Sequence, residues 1–313
     1  MVIRILRPAW VLLLSAAACA PPAPPAQDEP DAVPATEFPA GPTAAPFDFT
    51  QPVVQVLPQG LHEISGLAIP GPGGLAAVQD EDGAVYLSWA GLAGPWRRER
   101  VTGKGDFEGL AANASGGFLL RSDGRLFAFE WKDGVPTHTR ELELHLPHKE
   151  WEGLCYDPAG GLWVSAKDAS TDKDAAKHER FLYRIDPAQP EADPLEIWSL
   201  KRKALEKDAA RLKMRLPGQV RDDGSVDPDW KFAPSGIAWD PKLPVLYLLS
   251  GPDHLLLALH REQGLLWCHV LPGELLPQPE GIVLEADGNL LIASEGVDGP
   301  ARIVRYRRRP LPE

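Results

Sequence analysis

The sequence predicts an all-β fold assembled from repeated units of similar length. Three observations predict it. Gly (29) and Pro (33) are abundant among the 313 residues, while helix-spaced apolar runs are scarce, as expected for short strands joined by tight turns. One phrase, Ser or Glu followed by Gly and then Leu or Ile, recurs five times. Its glycines, Gly66, Gly109, Gly153, Gly236 and Gly281, are 43, 44, 83 and 45 residues apart. Three of these intervals match a four-stranded propeller blade of roughly 40–50 residues. The expected architecture is a five-bladed β-propeller with a helical insertion, six blades being the alternative.

Residues 1–18 read as a targeting segment. Arg4 and Arg7 precede the apolar run Ala9–Leu14, and Ser15-Ala16-Ala17-Ala18 leads to Cys19. A positive start, a short apolar stretch and small residues before a cleavage point describe a signal peptide. The run is too short to span a bilayer. Small residues directly before Cys resemble the bacterial lipobox, with Ala16 where Leu or Val is commoner, so lipidation is expected at Cys19. Ala20 lacks the Asp that retains lipoproteins at the inner membrane, so the expected location is the cell envelope (outer membrane/periplasm).

Residues 19–50 carry the lipidated Cys and a tether. Nine of residues 20–50 are Pro and eight are Ala, a composition that extends rather than builds a core. The propeller is expected over 51–313, starting near Phe47–Pro52.

Each unit repeats one layout. A first strand follows the Gly, and a second takes the next apolar run: Leu75–Val78, Gly117–Leu120, Leu162–Ser165, Val245–Leu249 and Asn289–Ala293. The long interval already holds four strands after Gly153. The segment beyond them reads as a helix, with Leu205, Ala209, Leu212 and Leu216 at helical spacing. An insertion at about 201–231 is therefore preferred to a sixth blade. Lys201–Arg215 carries seven Lys and Arg against Glu206 and Asp208, a pattern that suits a solvated helix or one touching anionic lipid. The last unit ends at Ile303–Tyr306 without a fourth strand. Pro52–Leu57 is expected to supply it and close the ring, which removes exposed sheet edges.

The formal net charge of -12 argues against a nucleic-acid partner, which needs clustered Lys and Arg. No Walker loop, dinucleotide fingerprint, GxSxG or HExxH is present. His145 and His148 alone do not make a zinc site. Cys155 and Cys268 lie in apolar strand-like runs and are expected to be buried free thiols.

In an up-and-down blade, first-strand starts and second-strand ends share one side. Ser65, Glu108, Glu152, Ser235 and Glu280 should therefore ring one mouth of the channel, with Asp80, Asp123, Asp168 and Glu295 around them. The candidate metal ligands are Glu108, Glu152, Glu280, Asp80 and Glu295. Crowded carboxylates repel, which a cation, a proton or a basic neighbour relieves. An oxygen-only set suits calcium rather than zinc, and Lys167 is the basic alternative. A second account is structural: the repeated carboxylate accepts backbone N–H bonds between blades while Gly allows close packing.

The phrases EISGLA…VQDEDG, GDFEGLA, WEGLCYDPAGGLWVSAKD, PSGIAWDP…LYLLS and QPEGI…DGNLLIASE together resemble the SdiA-regulated family of bacterial β-propellers, from about Leu61 to Glu295. The resemblance implies an exported or membrane-attached propeller and carries no reaction with it. More distantly the chain is similar to phytase-like, calcium-dependent propellers, from which it departs at Ser122-Asp123 and in its basic insertion. Two function classes remain. One is a cell-envelope lipoprotein whose propeller binds or scaffolds a protein or small-molecule ligand. The other is a calcium-dependent hydrolase of phosphoesters, with channel-mouth carboxylates holding the metal that activates water.

Overall fold

The computed structural model describes residues 45–167, 178–220 and 226–310. Cys19, the targeting segment, most of the tether and Asp168 lie outside the described residues. Five antiparallel four-stranded sheets form the blades of a β-propeller, as the glycine spacing predicts. Blade one is β2 (Ile64–Ala68), β3 (Leu75–Gln79), β4 (Asp82–Ser88) and β5 (Arg97–Lys104). Blade two is β6 (Phe107–Ala112), β7 (Gly116–Arg121), β8 (Arg125–Lys132) and β9 (Val135–Glu143). Blade three is β10 (Trp151–Tyr156), β11 (Leu162–Ala166), β12 (Glu179–Ile185) and β13 (Glu196–Lys201). Blade four is β16 (Pro234–Trp239), β17 (Leu246–Ser250), β18 (Leu255–His260) and β19 (Gly264–Val270). Blade five is β20 (Pro279–Leu284), β21 (Leu290–Ser294) and β22 (Arg302–Arg308), completed by β1 (Phe47–Val56).

The first strands pack side by side in the order β2, β6, β10, β16, β20 and back to β2, so they line a closed central channel. Closure is made by β1, which pairs antiparallel with β22; Val54 faces Val304 and Val56 faces Arg302. The expected closing strand is thus present, and it begins earlier, at Phe47. The aromatic ring of Phe47 is buried against Tyr247 of blade four, 5.3 Å between centroids, which ties the closing strand to the core.

The interval between blades three and four holds an insertion and no sixth blade. It contains α1 (Arg202–Arg211) and a short hairpin of β14 (Gly218–Val220) and β15 (Val226–Pro228). Leu205 and Ala209 turn inward with Leu216, Trp230 and Phe232 against the cores of blades three and four. The helix stops before Arg215. Lys213 takes a left-handed conformation (φ 55°), and Met214 N–H donates to the Ala209 carbonyl, a Schellman-type ending made without glycine. Cys155 and Cys268 are free thiols. Among the described residues no helix is long and apolar enough to cross a membrane.

Candidate functional site

The repeated phrase acquires a physical meaning from the strand register. Every first strand slips register against its second strand at the Ser/Glu-Gly step: between Ile64 and Gly66, Phe107 and Gly109, Trp151 and Leu154, Pro234 and Gly236, and Pro279 and Ile282. A bulge bends a strand and re-aims the extra side chain. The glycines fill a second requirement. A Cβ on Gly109 would sit 2.8 Å from the Glu152 carbonyl oxygen, and one on Gly236 only 2.4 Å from that of Glu280. Neighbouring blades touch backbone to side chain here, so no larger residue fits.

The two residue types at the repeated position part company. Ser65 Oγ donates to the Phe107 carbonyl of the next blade at 2.6 Å, and Ser235 Oγ to the Pro279 carbonyl at 3.0 Å. These serines are inter-blade clasps. Glu108 makes no such bond among the described residues, Glu280 shares a hydrogen bond with Ser235 of blade four, and both face the channel, which they line with the serines and the repeated glycines. At this waist the free space is about 10 Å³, roughly that of one water.

The carboxylates at the mouth share one electrostatic field. Burial pushes Glu108 up to about 9, helped by Glu152, Asp106 and Glu280. Burial likewise raises Glu280 to about 8, with Glu152 and Glu295 adding repulsion. Glu295 is raised to about 7 by burial, Asp80, Glu63 and Glu152, and Asp80 to about 6 by burial, then Glu63. Lys167 opposes these shifts. Its ammonium forms an ion pair with the buried Glu152 carboxylate. Burial drives Glu152 upward while Lys167 pulls it back. Burial pulls the ammonium down in turn, and Glu152, Glu108 and Glu280 more than restore it.

Not every expected neighbour belongs to this group. Asp123 is turned away and clamped by Arg121, at 3.0 and 2.7 Å, which holds its carboxyl below the usual range. Asp253, just beyond the end of the second strand of blade four, accepts from the Lys231 and Phe232 N–H groups at 2.7 and 2.9 Å and anchors the return from the insertion. Conversely, Asp106 and Glu63 contribute to the field although the repeated phrase does not include them. Each immediately precedes a first strand, and that phase of the repeat is the signal that finds them.

A metal was tested against this donor set. Among the described residues no group of three or more His, Cys, Asp or Glu side chains is placed to hold an ion. The carboxylates do not form a ready calcium site, and no catalytic step through a metal is derived. Burial and mutual repulsion instead favour the protonated form of Glu108, Glu280, Glu295 and Asp80.

No family model matches the chain, and no curated protein matches it. Solved structures do. Glutaminyl cyclase of Myxococcus xanthus superposes with a TM-score of 0.50 at 15% identity, over 82% of this chain and 96% of that one. A Thermus thermophilus protein assigned as an oxidoreductase (glucose dehydrogenase) also gives a TM-score of 0.50 at 15% identity, over 82% of this chain and 100% of that one. At this identity the likeness concerns the propeller fold alone, because one fold hosts many chemistries.

Proposed function

We propose that this chain is a ligand-binding β-propeller of the bacterial cell envelope, anchored through lipidated Cys19, whose acidic channel mouth takes up a cation in exchange for protons. The observation that carries the reading is the gathering of Glu108, Glu152, Glu280 and Glu295 in the field of one ammonium, Lys167, with Asp80 acting on Glu295. Several of these groups hold protons near neutral pH, so an incoming cation is stabilised by the carboxylates it deprotonates. The lipobox-like run before Cys19 and the resemblance to the SdiA-regulated family support the envelope assignment. An organic ammonium suits a mouth without a ready metal cage. Calcium on the same oxygens, the hydrolase reading, would require the carboxylates to regroup.

The test is the melting temperature of the purified protein with putrescine, and separately with calcium chloride with and without chelator. A ligand bound only by the folded state, at 100 times its dissociation constant, adds about 2.7 kcal/mol, roughly 5–10 °C for a domain of this size. The diamine should raise the melting temperature at pH 8 and do so less at pH 6. Glu108→Gln with Glu280→Gln should abolish the shift. A shift with calcium alone would transfer the mouth to the metal reading. No shift with either cation, or one surviving the double substitution, would remove the support for this site.

A further inference from the structure

The end of the propeller opposite the acidic mouth has different chemistry. There the first strands end in Ala68, Ala112, Tyr156, Trp239 and Leu284, which line a cavity of about 150 Å³. The chain also enters the fold at this end. Arg309 N–H donates to the Pro46 carbonyl at 3.0 Å, and Phe47 pairs with Arg308. Beside this entry lies a groove of about 910 Å³ bordered by Lys242, Arg305, Arg307, Arg308 and Arg309 together with the carboxylates Asp48 and Asp287.

Ion pairing decides how much of that charge is available. Arg305 is neutralised by Glu285 at 2.5 Å, and Arg308 by Asp240. Arg309 reaches Asp48 only at 3.8 Å. Arg307 has no ion pair among the described residues and is exposed. The Lys242 ammonium donates to the Asp287 carbonyl at 3.0 Å and has no carboxylate partner among the described residues. Asp48 offsets part of the charge of Arg309 and Arg307, and with the exposed Lys242 the three side chains leave a net positive charge at the groove.

The surface adjoining the groove is uncharged. Residues 69–74 (Ile-Pro-Gly-Pro-Gly-Gly) and 89–96 (Trp-Ala-Gly-Leu-Ala-Gly-Pro-Trp) contain no ionisable side chain. They flank a second cavity of about 350 Å³ that includes Glu285 and Ala286, so it shares the 285–289 turn with the basic groove. Trp89 is 47% exposed, and its ring lies edge-on to Trp131 at 6.2 Å, which carries the apolar strip across to blade two.

We propose that this face docks onto an anionic phospholipid surface. Arg307, Arg309 and Lys242 meet lipid phosphates, and Trp89 with the loops at 69–74 and 89–96 enters the headgroup layer. Basic side chains gain from a negative leaflet, and Trp is favoured where an apolar body and a polar N–H must both be accommodated. Gly/Pro loops offer few side-chain hydrogen bonds to a protein epitope, which favours a lipid occupant. The docking is off-axis, because Asp186, Glu191 and Asp193 in the blade-three turn at the same end are repelled by anionic lipid. Ala45, the first described residue, lies at this face beside the Pro46–Arg309 hydrogen bond. The inference is independent of what the acidic mouth binds.

The experiment uses the full chain with Cys19→Ser, so that no acyl chain contributes, in cosedimentation with phosphatidylglycerol–phosphatidylcholine vesicles and with phosphatidylcholine vesicles alone. The protein should sediment with the anionic vesicles only, and less as salt is raised. Each basic side chain near such a surface accounts for about a fivefold change in partition, so Arg307→Gln with Arg309→Gln should lose about 25-fold. Trp89→Ser should weaken binding and remove a blue shift in Trp emission. Should the arginine pair melt early, Lys242→Gln carries the same test with about a fivefold loss expected. Equal sedimentation with both vesicle types, or partition unchanged by the charge substitutions, would overturn the proposal. Inorganic phosphate binding in the groove without vesicle binding would also overturn it, assigning the groove to a soluble anion.

Discussion

Lys167 sets the charge balance of the acidic mouth, because among the described residues it is the ammonium that lies in the field of Glu108, Glu152 and Glu280. Its Glu152 partner has a side chain only 4% exposed, while the lysine itself is 43% exposed. Removing one member of a fully buried pair costs about 3–5 kcal/mol; solvent screening at the lysine lowers the expectation for Lys167→Met to about 1–2 kcal/mol. The loss should depend on pH in a defined direction. Glu108, Glu280, Glu295 and Asp80 have folded-state values of about 9, 8, 7 and 6, all above the unfolded values near 4. Their contribution to stability is fully present below the unfolded values and is lost as pH rises through the folded ones. The wild-type melting temperature should therefore fall between about pH 5.5 and 9. Lys167→Met should steepen that fall and match the wild type near pH 5, while Glu108→Gln should flatten it. A melting profile that is level across this range in the wild type would show that the carboxylates are not buried together.

Each blade uses its repeated glycine for a bulge that brings the next blade close. Gly236→Ala tests this, because its Cβ would lie 2.4 Å from a backbone oxygen that cannot swing aside. Overpacking of this kind costs about 1–3 kcal/mol. Gly281→Ala, whose nearest neighbour is the Leu67 side chain at 3.1 Å, should cost less; chemical denaturation of both variants gives the comparison. The blade count and the closing strand were legible in the sequence because spacing and apolar runs record them directly. Side-chain direction was not. A phase in the repeat says where around the ring a residue lies, but a bulge then rotates it. Ser65 and Glu108 share a phase, yet one clasps the neighbouring blade and the other faces the channel. Asp123 has the phase of a mouth residue, but Arg121, two positions earlier on the same edge, captures it. The end of α1 was also hidden, since a lysine in a left-handed cap carries no glycine signal.

The propeller is polar along its channel axis, with carboxylates at one mouth and the uncharged loops and basic groove at the other end, and it stays closed because the first and last described strands, β1 and β22, share blade five. The closing strand is an unusual one. Val53 and Val54 are 57% and 44% exposed, so the backbone pairs with β22 gain little from side-chain burial there. Phe47 is fully buried instead, packed between Tyr247 of blade four and the Arg308 guanidinium, which lies 5.5 Å from its ring centroid. The closure should therefore depend on this one side chain more than on the apolar character of the strand. Phe47→Ala removes a buried ring at a cost of about 3–5 kcal/mol, a loss of roughly 10 °C in melting temperature for a domain of this size. It should also free the β22 edge, which would then pair between molecules and give concentration-dependent association by size-exclusion chromatography. Val53→Thr, at an exposed position of the same strand, should change stability by no more than about 0.5 kcal/mol and leave the protein in its original elution position. If Phe47→Ala melts and elutes as the wild type does, the ring is closed by the backbone ladder alone. If Val53→Thr is as damaging, the strand is held by its outer face, and the burial of Phe47 is not what seals the propeller.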